Sequence, residues 1–487
     1  MKKLILNISL IALAVAILPS CRKQLDQEPS NGVRVENAFN TLADFEQNTR
    51  GMYYRMVHAE HYIGGSDEGI AWISSLDLMA DNLISQQTGR GSQRTYARWS
   101  YVPTSVNPTF DECYGIIRAA NAIIENKDKL AGTENFYGEA LTTRAMVHFD
   151  LMRLYSKPMS GLQAAPESLG VPYVKTTDVE DRPSRGTVQQ TYDNVVADLT
   201  EALNVINADN GVGRLNKTAV YALLSRVYLY GGEWQKCIDA STECLNLQND
   251  PGSIAAFPAI WTDDSEDGVI FKVRFTEQDQ GADGQIKVGV GYGQIVSGGI
   301  KSEWVVTKSL YDLYQSDDVR KDAYVTTTTF SGADYNAVIK HLQRTDGTPP
   351  QIVDVKYLRV AEVLLNRAEA YTMLGAGNDA SALADLDALR EQRYSSFTPG
   401  TETGQSLKDA ISLERRLELA FEGDRWFDLK RKGLPVQRDN FGDFADGTGT
   451  PSPTPTLSAS DFRWCLPLSL FDVQANTNLQ QNPGYPN

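Results

Sequence analysis

Two glycine-rich stretches have residue types and spacings close to those of catalytic motifs. The stretch 289–294 begins like a phosphate-binding GxGxxG loop, but the third glycine of that motif falls on Gln294. The stretch 64–68 begins like a GxSxG nucleophile elbow, but Glu68 stands where the final glycine belongs. Neither stretch supports dinucleotide binding or acyl transfer, so these motifs do not indicate an enzyme, and no cofactor is predicted.

Two further stretches contain metal-ligand residue types. The acidic stretch 263–268 fits the opening of a calcium loop, but Arg274 stands where the bidentate glutamate is needed. His58 and His61 are three residues apart and could share a helix face, yet no third ligand is indicated. We therefore predict no metal site, and we interpret 263–268 as an acidic turn that leads into a short strand over 269–275.

Charge and cysteine content exclude several classes of protein. The chain has 487 residues with 46 Lys+Arg against 62 Asp+Glu, a formal net charge of −16, so a general nucleic-acid surface is not expected. After Cys21 the sequence has four cysteines, Cys113, Cys237, Cys244 and Cys465. No two of them form a CxxC motif, and four are too few for a disulfide scaffold. Cys237 and Cys244 lie on one face of a predicted helix, which is typical of small core residues.

The N-terminus has the pattern of a secretion signal. Lys2 and Lys3 precede an apolar run over 4–18, shorter than the ~20 residues that cross a bilayer. Ser20 and Cys21 then resemble a bacterial lipobox, in which the cysteine is acylated after cleavage. We predict a signal peptide over 1–20, a lipid anchor at Cys21 and a tether over 21–31; the alternative is an ordinary cleavage site beside an accidental cysteine.

The elements that would position any site are mostly helices, because apolar residues recur at three-four spacing along much of the chain. The predicted helices are 42–57, 110–130, 140–155, 188–206, 218–230, 234–247, 355–374, 380–390 and 407–431.

Several of these helices form pairs with a tetratricopeptide-like register. In 218–247, Ser225, Cys237 and Ser241 place small residues where two helices would cross, on either side of a Gly231-Gly232 turn. The pair 355–374 and 380–390 is similar, and the pair 140–155 and 188–206 is separated by a longer connection. Generic helical hairpins are the alternative, but the shared register favours repeats.

Two segments interrupt the helical pattern. The first insertion, near 58–104, and the second insertion, near 249–302, are rich in glycine and aspartate or in aromatics without a helical period. Residues 440–456 are a further Gly, Pro and Thr-rich loop. We predict one helical domain over 32–487 that carries these two insertions.

The strongest local pattern is the stretch 414–431, in which charges alternate in sign. We predict a helix in which Arg415 pairs with Glu418 and Glu422 pairs with Arg425, because buried arginines need partners.

This stretch closely resembles the signature of the RagB/SusD family, the surface nutrient-binding lipoproteins of Bacteroidota. The resemblance extends in order over nearly the whole chain and includes Cys21 followed by Leu25-Asp26 and Pro29, 139–151, 222–234, 266–271 and 479–485. It implies a mainly α, SusD-like fold of tetratricopeptide-like helix pairs packed with irregular loop-rich segments and a few short strands. It also implies a lipid-anchored, non-catalytic protein on the outer face of the outer membrane. Such a protein would pass oligosaccharides or other nutrients to a TonB-dependent, SusC-like transporter.

Two functions compete on this basis. An oligosaccharide-binding protein would expose aromatic side chains that stack on pyranose rings, whereas a structural lipoprotein that holds a protein partner needs no such cluster. The predicted ligand contacts lie in or beside the two insertions and should converge on one surface: Asp67, Trp72, Arg90, Tyr96, Trp99, Tyr292 and Trp304. The competing interpretation of each aromatic residue is a core position.

Overall fold

The computed structural model describes residues 37–58, 62, 72–86, 91–106, 109–280, 291–297 and 299–486. The predicted signal peptide, the anchor at Cys21, the tether, Asp67 and Arg90 lie outside these residues. Within them, no helix combines the length and the apolar character that a membrane crossing requires.

Helices dominate the described chain, and the strands are short. The helices are α1 (Leu42–His58), α2 (Trp72–Met79), α3 (Arg94–Ala97), α4 (Thr109–Asn126), α5 (Glu134–Tyr155), α6 (Val188–Ala202), α7 (Lys217–Gly231), α8 (Trp234–Leu247), α9 (Phe257–Trp261), α10 (Lys308–Tyr311), α11 (Val319–Tyr324), α12 (Val360–Met373), α13 (Asp379–Arg390), α14 (Gly404–Glu418), α15 (Arg425–Lys432) and α16 (Leu470–Ala475). The strands are β1 (Leu83–Ser85), β2 (Val269–Val273), β3 (Gln294–Val296), β4 (Gly299–Lys301), β5 (Trp304–Val306), β6 (Val325–Phe330), β7 (Ala333–Val338), β8 (Val355–Arg359), β9 (Val436–Gln437) and β10 (Thr456–Leu457). The mainly α architecture predicted from the sequence is confirmed.

Small residues sit where the repeat helices cross, as the tetratricopeptide-like register predicts. The Ser225 and Ser241 hydroxyls are 2.8 Å apart between α7 and α8, and the Cys237 thiol donates to the Ser225 carbonyl. Gly232 ends α7 in the left-handed region with φ 72°, which a residue with a Cβ adopts only with strain. From α12, the Asn366 amide donates to the Ser225 hydroxyl, so the next helix pair continues the stack.

Cysteines take part in this core rather than in cross-links. Cys237 and Cys244 are fully buried, as predicted for small core residues. With Cys113 and Cys465, they are the free cysteines of the part of the chain that the structure describes.

The strands form small antiparallel sheets between the helical pairs. One sheet has four strands in the order β1-β5-β7-β6, and the other pairings are β2 with β8, β3 with β4 and β9 with β10. The acidic turn predicted over 263–268 leads into β2, and Asp263 there pairs with Arg344 and Lys356. Because these two cations already pair with the Asp263 carboxylate, the turn is not an empty calcium loop.

One predicted helix begins later than expected. Residues 355–359 form β8, fully buried and paired with β2, and only then does α12 begin. An apolar run of this length does not distinguish a buried strand from a buried helix, and the partner strand β2 decides the outcome.

The stretch 414–431 is not one helix, so that prediction is wrong. A turn over 419–424 separates α14 from α15, and both Phe421 (φ 66°) and Gly423 (φ 74°) adopt left-handed backbone there. The predicted pairs within the stretch are also wrong. Glu418 instead pairs with arginines from other segments, and Arg425 pairs with Asp81.

Glu418 lies at the centre of a buried charge cluster. Its carboxylate accepts hydrogen bonds from Arg393 Nε (2.8 Å), Arg359 Nη1 (2.8 Å) and Arg320 Nη1 (3.3 Å). Burial opposes ionisation, but the guanidinium groups, led by Arg393, hold the pKa of Glu418 well below its usual range. The expectation that buried arginines require partners is confirmed, with partners distant in sequence.

His148 on α5 is a buried, neutral histidine with both ring nitrogens occupied. Nδ1 lies 2.8 Å from the Arg144 carbonyl and therefore donates, while Nε2 accepts from the Val174 amide at 3.1 Å. The ring stacks on Tyr173 with 3.9 Å between centroids. Burial lowers the pKa of His148 to about 3, because a second proton would be desolvated and would face the Val174 N–H.

We expect a pH-dependent difference between the native chain and His148→Gln. The unfolded histidine has a pKa near 6.5, so the stability contributed by the neutral folded form is complete above that pH and is lost as pH falls toward 3. Glutamine retains an acceptor but does not titrate. Between pH 8 and pH 5 the native chain should lose about 2 kcal/mol more unfolding free energy than the variant. Urea unfolding at both pH values measures this; every other group titrates in both chains, and equal losses would contradict the assignment.

Candidate functional site

The two insertions meet in the four-stranded sheet. Strand β1 of the first insertion pairs antiparallel with β5 beside the second, with Leu83 opposite Val306 and Ser85 opposite Trp304. The pairing continues for one more residue, since the Gln86 amide donates to the Glu303 carbonyl at 2.9 Å. The backbone of the first insertion therefore meets the strand that follows the second, and convergence of the predicted ligand contacts on one surface stays a prediction.

Trp304 connects the two insertions through its side chain. Its indole Nε1 donates to the Ser92 carbonyl at 3.0 Å, and the residue is only 4% exposed. Gly291 passes directly over the ring, where a Cβ would lie 2.3 Å from ring carbons, so no larger residue fits there. Tyr292 meets the Trp304 ring edge to face with 5.7 Å between centroids.

Trp99 and Tyr96 are buried in the same way on the first insertion. The Trp99 indole donates to the Met79 carbonyl at 2.9 Å, and the Arg438 guanidinium lies 4.3 Å from its ring centroid. Tyr96 contacts Tyr101 with 5.6 Å between ring centroids. Both Trp99 and Tyr96 are 2% exposed.

The predicted exposed aromatic platform is therefore wrong for four of its members. Tyr96, Trp99, Tyr292 and Trp304 face the core, where their large apolar faces are covered and the indole N–H groups are satisfied by backbone carbonyls. Trp72 is the first residue of α2, and the structure does not describe its side chain. Ligand contact by Trp72, Asp67 and Arg90 stays a prediction.

Polar groups are buried without partners at the junction. The Ser92 amide donates to Glu303 Oε2 at 3.3 Å. In contrast, neither Gln86 Nε2 nor the Ser92 hydroxyl has a hydrogen-bond partner among the residues that the structure describes. Buried polar atoms are rarely left unpaired, so these two atoms are among the exceptions in the described residues.

The turn over 419–424 and the arginines that flank it form hydrogen bonds with the end of α2 in the first insertion. The Gly423 amide donates to Asp77 Oδ2 at 2.9 Å, and Arg425 donates to both oxygens of Asp81 at 2.7 and 2.8 Å. Arg416 donates to Asn82 Oδ1 at 3.0 Å. The sequence did not lead to a prediction for these polar residues at the end of α2. It does carry a signal for them, because charged and amide residues in an otherwise apolar segment need buried partners.

Three titratable groups behind this turn are shifted by burial. Burial raises the pKa of Asp77 to about 7 and lowers the pKa of Lys340 to about 7. Burial, with the nearby Lys340 ammonium, lowers the pKa of His341 to about 3. All three side chains are almost completely inaccessible, so these shifts accompany packing and not acid–base chemistry on a ligand.

Metal ligation has no support in the described segments. Their His, Cys, Asp and Glu residues do not come together in any group of three or more that could hold an ion. In the part of the chain that the structure describes, the junction consists of a buried aromatic base and the paired strands β1 and β5.

Comparison with protein families finds two matches, at the two ends of the chain. Residues 25–229 match a SusD-like family described as starch-binding and associating with the outer membrane. Residues 339–485 match the SusD family.

Individual relatives cover almost the whole chain. SusD-like protein P2 of Formosa agariphila is 25% identical and aligns over 95% of this chain and 96% of its own length. SusD-like protein P38 of the same organism is 23% identical over 88% of this chain and 91% of its own.

Solved structures share the fold. A putative sugar binding protein from Bacteroides vulgatus superposes with a TM-score of 0.78 at 26% identity, covering 92% of this chain and all of the other. A SusD superfamily protein from Bacteroides thetaiotaomicron gives a TM-score of 0.77 at 24% identity, covering 91% of this chain and all of the other.

The burial of Trp304 predicts a cost in stability when it is replaced. Trp304→Ala should lower the unfolding free energy by about 3–5 kcal/mol, because it removes a buried ring and leaves a cavity beside Tyr292. Phe471→Ala is the control, since that side chain is 73% exposed and should change stability little. Denaturant unfolding of both variants measures this. A Trp304→Ala protein as stable as the native chain would show that the ring is not part of the core.

Proposed function

This chain belongs to the SusD/RagB family, and on that basis we propose that it binds an oligosaccharide or another nutrient and passes it, chemically unchanged, to a TonB-dependent outer-membrane transporter. The observation that carries the proposal is the order of the family matches, which begin at residue 25 and end at residue 485. The description of the N-terminal match names starch binding and outer-membrane association, and the 26% identical structural relative is named as a putative sugar binding protein.

We place the ligand at the junction of the two insertions. Gln86 and Ser92 lie at this junction, and an amide or hydroxyl side chain can form hydrogen bonds with sugar hydroxyls. Asp67, Trp72 and Arg90 remain the proposed side-chain contacts from the first insertion. The buried Trp99 and Trp304 would hold the junction in one shape, which reduces the entropy lost on binding.

One observation favours the alternative, a structural lipoprotein that holds a protein partner through its helical repeats. The four aromatic residues expected to stack on sugar rings are buried instead. Under this alternative the repeats α7–α8 and α12–α13 would carry the function, and the junction would bind no glycan.

Glycan binding distinguishes the two functions. We expect an array of oligosaccharides to identify a ligand, and calorimetry to give a modest affinity for it. Trp72→Ala should weaken binding about fivefold, because one stacked aromatic ring contributes ~1 kcal/mol. Phe471→Ala, with an exposed ring on α16, should bind like the native chain. Recovery of a tightly bound protein partner with no glycan bound would favour the alternative, and release of shortened sugars would contradict the non-catalytic proposal.

The membrane attachment is tested separately at Cys21. We expect mass spectrometry of the membrane-extracted protein to find an acylated Cys21 as the first residue, and Cys21→Ser to move the protein out of the membrane fraction, because two acyl chains anchor a protein stably. Affinity purification of the native form from detergent-solubilised membranes should recover a TonB-dependent transporter. An unmodified Cys21, or repeated recovery without a transporter, would contradict the corresponding part of the proposal.

A further inference from the structure

A pocket outside both insertions has a volume of about 410 Å³. Its walls come from four segments, 157–169, 430–434, 459–465 and 482–483. None of them belongs to either insertion. The volume lies in the range of pockets that enclose a small organic ligand.

Apolar side chains form much of the pocket wall. Phe462 and Leu434 stand at its edge, 45% and 43% exposed. Trp464 lies deeper, stacked on Trp426 at 4.1 Å between centroids, and its indole N–H is already bound to the Ser458 carbonyl. The Phe462 ring has no polar group and the Trp464 N–H already has a partner, so both rings are suited to pack against the apolar part of a ligand.

Lys430 on α15 lines the same pocket and differs from the other buried lysines. Lys272, Lys340 and Lys356 each have a carboxylate within 3.0 Å of the ammonium. Lys430 is only 5% exposed and donates to the Arg153 carbonyl at 2.6 Å, in the last turn of α5. Within the described chain, no carboxylate pairs with it. A carbonyl satisfies one N–H but does not neutralise a buried charge.

The described residues around Lys430 do not supply the missing negative charge. Arg185 is buried nearby, and it donates to the carbonyls of Gly170, Leu169, Tyr155 and Gln480 and to Asn482 Oδ1, not to a carboxylate.

Two carboxylates do line the pocket, but neither reaches Lys430. Asp461 is paired with Arg463 at 2.7 Å. Glu167 lies on an exposed part of the wall. Lys430 therefore lines a largely apolar pocket and has no carboxylate partner among the described residues.

We propose that this pocket binds a small monocarboxylate, with its carboxylate at Lys430 and its aromatic or aliphatic body against Phe462, Trp464 and Leu434. A carboxylate would complete the ion pair that the three other buried lysines already have. The body of the ligand would cover rings that are otherwise in contact with water. The site is separate from the nutrient site at the junction and does not depend on it.

Charge-matched ligands test the proposal on the full mature chain. The probes are naphthalene-2-acetate, indole-3-acetate and octanoate, each compared by calorimetry with its uncharged amide. We expect at least one acid to bind about tenfold more tightly than its amide, because only the acid pairs with the ammonium. Lys430→Met should remove this difference. Lys157→Met is the matched control, since Lys157 is an exposed lysine on the same wall, and it should keep the difference.

A second variant protects the test if Lys430→Met does not fold. Phe462→Ala changes an exposed ring and should weaken the acid and its amide by the same factor, leaving their ratio unchanged. The proposal is overturned if no acid binds the folded native chain at millimolar concentration, if acid and amide bind equally, or if folded Lys430→Met keeps the preference for the acid.

Discussion

The buried carboxylate of Glu418 needs cationic partners, and three separate segments of the fold supply them. Arg320 comes from α11, Arg359 from the end of β8 and Arg393 from the segment after α13, and all three donate to this one side chain. Removing one partner would leave a buried charge unpaired and cost about 3–5 kcal/mol of stability. Each ion pair therefore fixes the position of the segment that carries its arginine.

The same constraint extends to the junction of the insertions. The chain turns sharply after Glu418, and Glu422 in that turn accepts from Lys340 and Arg359. The next residues hold the end of α2 through Asp77 and Asp81. Strand β1 follows α2 directly and pairs with β5, so the position of the second insertion is set by charges that lie well below the surface. A site built on such a base is preorganised even though its aromatic residues face inward.

The pocket beside Lys430 shows the opposite electrostatic arrangement. Around Glu418 opposite charges are matched inside the core, whereas Lys430 and Arg185 are buried with carbonyl partners only. The C-terminal end of α5 explains part of this, because the carbonyls of Arg153 and Tyr155 lie in its last turn and accept from these two cations. Helix carbonyls carry only partial charges, so they do not neutralise these two cations.

The amino-acid sequence by itself determined the helices, the repeat register and the class of protein, because apolar spacing and small residues such as Ser225 and Cys237 act locally or between neighbouring helices. It did not determine the strand over 355–359, the turn that divides 414–431 or the partners of Glu418. Each of these depends on segments distant in the chain, and nothing in their local periodicity specifies the partner. The aromatic residues of the insertions were assigned to the surface for the same reason. Whether Trp99 and Trp304 face a ligand or the core was decided only when β1 paired with β5 and the carbonyls of Met79 and Ser92 came within reach of their indole groups.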